Sequence, residues 1–108
     1  MDAAGTELAD RLRALLAGEP TLDEKRMFGS RAFMVNGRIL VAARGGGTLL
    51  VRVPEERSAS LQQRPGARIA SMGERTMGQG WLDIDPAVLD DDELIFWLDA
   101  ARDHDLRG

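Results

Sequence analysis

Residues 27–53, MFGSRAFMVNGRILVAARGGGTLLVRV, decide the fold. Three apolar runs rich in β-branched residues are separated by Asn36-Gly37 and by Gly45-Gly46-Gly47, and both separators have the backbone freedom that a tight reversal at positive φ requires. The stretch predicts a three-stranded antiparallel meander. Loops of two and three residues set its register: Met34 faces Ile39, Ala32 faces Val41, Ala43 faces Leu49 and Val41 faces Val51. One face then reads Ala32, Met34, Ile39, Val41, Ala43, Leu49, Val51 and Val53, apolar throughout, and belongs under helices.

The opposite face reads Arg31, Phe33, Val35, Arg38, Leu40, Ala42, Arg44, Thr48, Leu50 and Arg52. Four arginines interleave there with aliphatic and aromatic groups. In a two-layer domain no helix covers this side, and antiparallel sheets commonly have one solvated face over which arginine stems lie flat. Arginine beside aromatic and aliphatic groups is also the composition of protein interfaces. Arg31, Phe33, Arg38, Leu40, Arg44, Leu50 and Arg52 are thus the candidate interaction set.

Working outward, Leu8, Leu12, Leu15 and Leu16 recur at one-face helical spacing, with Thr6 placed to cap the start and Gly18 and Pro20 placed to stop it. Thr21 to Lys25 reads as a polar link. Pro54, with Glu55 and Glu56 behind it, opens a short helix that ends by Pro65-Gly66. A second hairpin runs through Ala67–Met72, turns at Gly73-Glu74-Arg75 and returns through Thr76–Asp85, where Gly78 and Gly80 mark a bulge or a close backbone approach. Trp81 alternates out of phase with Leu82 and Ile84 and so points to the second sheet face. Asp90 and Glu93 have capping-box spacing at the start of a last helix, which carries Leu94, Trp97, Leu98 and Ala101 on one face and frays near His104. The expected architecture is α+β and two-layered: a five-stranded antiparallel sheet with helices on one face, in the order helix, three strands, helix, two strands, helix.

At 108 residues, 44% of them hydrophobic and 30% charged, the chain has the size and composition of one globular domain over 1–108. It has no cysteine, which removes disulfides and thiolate chemistry and is compatible with a cytoplasmic location, and no run of apolar residues long enough to span a bilayer. The net charge of −4 is unevenly spread. Residues 25–64 hold eight cations against two carboxylates, whereas residues 66–108 hold four cations against ten. The meander is basic and the tail acidic.

Convergent chemistry is not visible. Gly45-Gly46-Gly47 lies between strands, without the Lys-Ser/Thr and the helix that a phosphate cradle needs, and serves a hairpin better. Asp90-Asp91-Asp92-Glu93 sits where carboxylates stabilise exposed helix amides, rather than in a loop that converges on a cation. His104 is the only histidine, and Ser30, Ser58, Ser60 and Ser71 have no nucleophile-elbow context. No catalytic residue, metal ligand or cofactor is assigned, and the expectation is a protein that is not an enzyme.

The string EKRMFGSRAFMVNG at Glu24–Gly37 resembles the TfoX (Sxy) N-terminal domain family, bacterial proteins named for regulators of natural competence. The likeness continues through LLVRV at 49–53, RPGAR at 64–68, and Met77, Gly80 and Trp81 followed by DDDEL and a tryptophan-bearing helix. It carries over to Arg26, Met27, Phe28, Gly29, Phe33 and Gly37, and to Met77, Gly80 and Trp81. Structural causes are at hand for most of these: Gly37 for the turn, Gly29 and Gly80 for close packing, Phe28 and Trp81 for core. Arg26 stands apart, and is expected to pair with Asp83 or Asp85. The resemblance implies a stand-alone domain with a secretion-chaperone-like fold and no enzymatic activity. It also implies a role as co-activator beside the cyclic-AMP receptor protein.

The expected function is therefore a non-enzymatic protein-interaction domain, an accessory transcriptional or competence regulator. It would act through a protein partner or a homodimer formed on the mixed sheet face. The alternatives are a weak single-stranded nucleic-acid binder on the basic meander, and a small-ligand binder or enzyme with a pocket near Trp81. Direct reading of DNA is disfavoured because the last helix is acidic.

Overall fold

The computed structural model describes residues 2–27 and 29–107. Helix α1 runs from Ala3 to Leu15 and buries Leu8 and Leu12, with Leu16 just beyond it also in the core, against the sheet. Leu15 falls outside that stripe and is 39% exposed. The cap is Asp2 rather than the expected Thr6: the Asp2 carboxylate accepts from Gly5 N at 2.9 Å, and Thr6 N donates to the Asp2 carbonyl at 3.0 Å. The same carboxylate accepts from Gly46 N at 3.0 and 2.8 Å, tying the helix to the glycine turn.

These two amides, Gly5 first and Gly46 second, hold the Asp2 carboxyl below its ordinary value. A carboxylate depressed in the folded state stabilises above its unfolded pKa and loses that contribution as pH falls through the folded one. Asp2→Ala is therefore expected to lower the melting temperature at neutral pH. The gap to wild type should close as pH drops below about 4, and calorimetry across pH checks it. A gap that does not depend on pH would mean the carboxylate charge is not what matters.

Four strands follow: β1 (Leu22–Met27), β2 (Ser30–Val35), β3 (Arg38–Ala43) and β4 (Leu49–Arg52). After helix α2 (Glu55–Leu61) come β5 (Ala67–Ile69), β6 (Ser71–Met72), β7 (Arg75–Thr76) and β8 (Trp81–Ile84), then helix α3 (Asp91–Arg107). The main sheet has six strands in the order β1-β2-β3-β4-β8-β5, and β6 pairs only with β7. The α+β class and the antiparallel sheet agree with the sequence; the count of five strands does not. The added strand is β1, paired from Leu22↔Val35 to Met27↔Ser30, in the stretch expected to be a link. It carries Asp23, Glu24, Lys25 and Arg26 because it lies at the sheet edge, where charges discourage pairing with another chain.

Asn36 (φ 55°) and Gly37 (φ 78°) form the tight turn expected of them, and Met34 pairs with Ile39 as expected. Beyond that pair the register departs from the simple one. Phe33 faces Val41 and Ala32 faces Ala42, so Leu40 is an extra residue on β3, a bulge. Leu40 and Val41 both pack into the helix-side core, and the alternation of β2 is inverted relative to expectation. Phe33 and Val35 point under the helices, whereas Ala32 and Ile39 lie on the outer face. Energetics favour this solution. A bulge forgoes roughly one ladder hydrogen bond, about 1 kcal/mol, while exposing Phe33 and Val35 would cost about 3 to 6 kcal/mol.

The core under the helices joins Phe33, Val41, Leu49, Val51, Leu82 and Ile84 to the α1 leucines and to Leu94, Trp97, Leu98 and Ala101 of α3. Asp90 caps α3 through Glu93 N at 2.8 Å. The Glu93 carboxylate accepts from Trp97 Nε1 at 3.1 Å and from Arg64, so only half of the capping box forms. The helix continues past His104 to Arg107.

Candidate functional site

Among the described residues no helix lies over the outer face of the sheet. Its floor is Ala32, Ala42, Leu50 and Ala70, all buried, and Met27, Ile39, Met77 and Trp81 pack around them. Three of the four floor residues are alanines, so the centre of the sheet is hollow, and Met72 overhangs it from β6 with 43% exposure. The hollow encloses about 150 Å³. The overhang exists because the second hairpin leaves the main sheet after Ile69. Ala70 N donates to the Trp81 carbonyl and Met77 N to the Ala70 carbonyl, both at 2.8 Å, and β6-β7 projects beyond them.

Asp83 lies beside this floor with only 4% of its surface exposed. Arg44 Nη1 donates to both of its oxygens at 3.0 Å, which compensates the buried charge. Arg68 stands across from Asp83 in the β5-β8 pairing. The Arg52 guanidinium stacks 5.0 Å from the Trp81 ring centroid. Beyond Trp81 a cleft of about 480 Å³ opens, lined by Arg52, Glu55, Glu56, Gly80, Trp81 and His104 among others. A hollow near Trp81 was the sequence expectation for a ligand site. Burial first, and Arg52 second, push the His104 imidazole below its ordinary pKa; Arg38 adds to that and Asp105 opposes it.

Of the candidate interaction set, Arg44, Leu50 and Arg52 lie on the outer face. Phe33 (0% exposed) and Leu40 (3%) belong to the helix-side core and line no surface. Arg38 pairs with Asp105 of α3 at 3.1 Å, and Arg31 lies opposite Ala43 and 4.0 Å from Glu24, so both are on the helix side as well. The Leu40 bulge accounts for all four displacements. Among the family-motif residues, Met27, Met77 and Trp81 edge the hollow and Gly37 makes its turn, whereas Gly29 does not serve the close packing expected of it: a Cβ there would meet nothing within 4 Å, and its φ of 77° between β1 and β2 is what calls for glycine. At Gly80 a Cβ would come within 3.4 Å of the Val53 carbonyl, the close approach expected there. Phe28 lies outside the described residues. Arg26 is exposed and registers with Arg31; its expected partners are engaged elsewhere, Asp83 by Arg44 and Asp85 by Ala87 N at 2.9 Å.

Sequence reasoning missed Asp83, Arg68 and the alanine floor. Alternation with Leu82 and Ile84 already puts Asp83 on the face of Trp81, and that signal was available. No group of three or more metal-ligating side chains converges among the described residues, and no helix among them is long and apolar enough to cross a membrane.

A one-sided antiparallel sheet layered with helices is an α+β fold shared with the crystal structure of a protein from Pseudomonas syringae. The TM-score is 0.62 at 12% identity, over 94% of this chain and 96% of that one, a likeness of fold alone. Residues 14–104 match the TfoX N-terminal domain, and the chain belongs to that family. No curated protein matches it.

Proposed function

We propose that this domain is a non-enzymatic protein-interaction module of the cytoplasm, an accessory regulator that works through a protein docked on the outer sheet face. The observation that carries the reading is the uncovered apolar hollow: alanine floor, methionine rim and Trp81, on a face no helix protects. An apolar hollow with a partly exposed rim is the kind of concave surface that takes a partner's side chains, and flexible thioethers adapt to varied partners. Membership of a family named for competence regulators supports the regulatory part.

A photo-crosslinking amino acid placed at Met72 in living bacteria tests it, with the same group at Ile95, an exposed α3 position, as comparison. A protein adduct is expected at position 72 and not at 95, its mass distinguishing a foreign chain from a second copy. Adducts at 95 alone, or none at 72, would sink the proposal. Charge reversal at Arg38 and Arg44 is not a clean test, because both hold structural ion pairs.

A further inference from the structure

We propose that the occupant of the outer hollow is an acidic segment of a partner protein with apolar anchor side chains; this rests on the docking reading above and adds the chemistry of the partner. The charge arrangement carries it. Around Asp83 there are two arginines for one carboxylate: Arg44 takes both oxygens, and Arg68 is exposed with no ion pair among the described residues. On the other side Arg52 is held by the Trp81 ring and likewise has no ion pair among them.

The spacing of these two cations follows from the pairing. Arg52 faces Trp81 on β8, and Arg68 faces Asp83 two residues further along that strand. Two strands across and two residues along place their Cα atoms about 12 Å apart. Between them on β8 stand Trp81 and Asp83, and the hollow opens to one side, over β2, β3 and β4, with Trp81 on its rim. Guanidinium groups without ion pairs, set beside an apolar floor, complement carboxylates set beside apolar side chains. The whole chain is acidic, so this attraction is local to the face.

A single-stranded nucleic acid would also supply negative charge, but it needs open aromatic faces on which to stack. Here Phe33 is in the core, the Trp81 ring lies against Arg52, and the Phe96 ring is covered by Arg64 at 3.6 Å. Methionine and alanine offer aliphatic contact instead, which suits protein side chains.

The test is selection of a random twelve-residue phage-displayed peptide library on the whole protein, repeated on Arg52→Gln/Arg68→Gln and on Met72→Glu. Both variants change exposed or stacked side chains outside the helix-side core. Enriched peptides are expected to carry Asp or Glu around Leu, Phe or Met. A synthetic copy should perturb Trp81 fluorescence, with the buried Trp97 as a constant background. Arg52→Gln/Arg68→Gln should weaken that peptide at least tenfold, and Met72→Glu should abolish its binding. Neutral or basic peptides lost only in Met72→Glu would overturn the acidic occupant and leave the docking surface standing. Failure to enrich any peptide, or enrichment indifferent to both variants, would overturn both. Displacement of the peptide by an equimolar single-stranded oligonucleotide would overturn the acidic-protein assignment in favour of nucleic acid.

Discussion

Arg44→Ala is expected to destabilise the domain by about 3 kcal/mol, the low end of the range for breaking a buried pair from one side. The low end applies because the Arg44 side chain keeps 24% of its surface exposed, whereas that of Asp83 keeps only 6%. Without the guanidinium, the Asp83 carboxylate is left among Leu50, Trp81 and the alanines with no ion-pair partner in place. In a domain of this size the loss should lower the melting temperature by roughly 15 °C. The paired substitution Arg44→Met with Asp83→Leu removes both charges and should recover most of that loss, since a buried ion pair is often no more stable than its apolar replacement. Chemical denaturation of the single and paired variants forms a double-mutant cycle. A loss under about 1 kcal/mol for Arg44→Ala would mean that water, not Arg44, serves Asp83.

Deletion of Leu40 is expected to leave folding cooperative and to cost about 2 to 4 kcal/mol, as Leu40→Ala does. The comparison separates what the side chain does from what the extra backbone residue does. With the residue gone, Arg38, Ile39, Val41, Ala42 and Ala43 alternate regularly and pair with Val35, Met34, Phe33, Ala32 and Arg31 as they already do. Every remaining side chain keeps its face, so the core loses only Leu40 and the Arg38–Asp105 ion pair stays in place. Near-ultraviolet circular dichroism during urea denaturation reads the outcome. Loss of the sharp transition in the deletion variant alone would show that the fold requires the bulge itself and not only the Leu40 side chain.

That bulge also explains how far the sequence could be read. The helices were legible because Leu8, Leu12 and Leu16, and later Leu94, Trp97, Leu98 and Ala101, repeat at a spacing no strand uses. Asn36-Gly37 specified its turn chemically. The run Ile39-Leu40-Val41-Ala42-Ala43 is apolar at every position, so alternation has no phase there and cannot reveal one inserted residue. The error then propagates along β2, which is why Phe33, Leu40, Arg31 and Arg38 were assigned to the wrong side while Arg44, Leu50 and Arg52, beyond the bulge, were placed correctly. β1 was hidden for another reason: four consecutive charges mask a strand whose role is to close an edge. The groove itself needed the three-dimensional meeting of Ala32, Ala42 and Ala70, residues far apart in the chain and individually unremarkable.

The β6-β7 tip is attached to the rest of the domain through the hydrogen bonds of Ala70 and Met77 and contributes none of the helix-side core. It is therefore the part of the molecule most open to revision. Lengthening, shortening or recolouring the Ser71–Thr76 loop changes the roof over the hollow while the core beneath α1 and α3 is left alone. A docking surface of the proposed kind would change its preferences by exchange of these six residues, and a designer wishing to alter it would begin there.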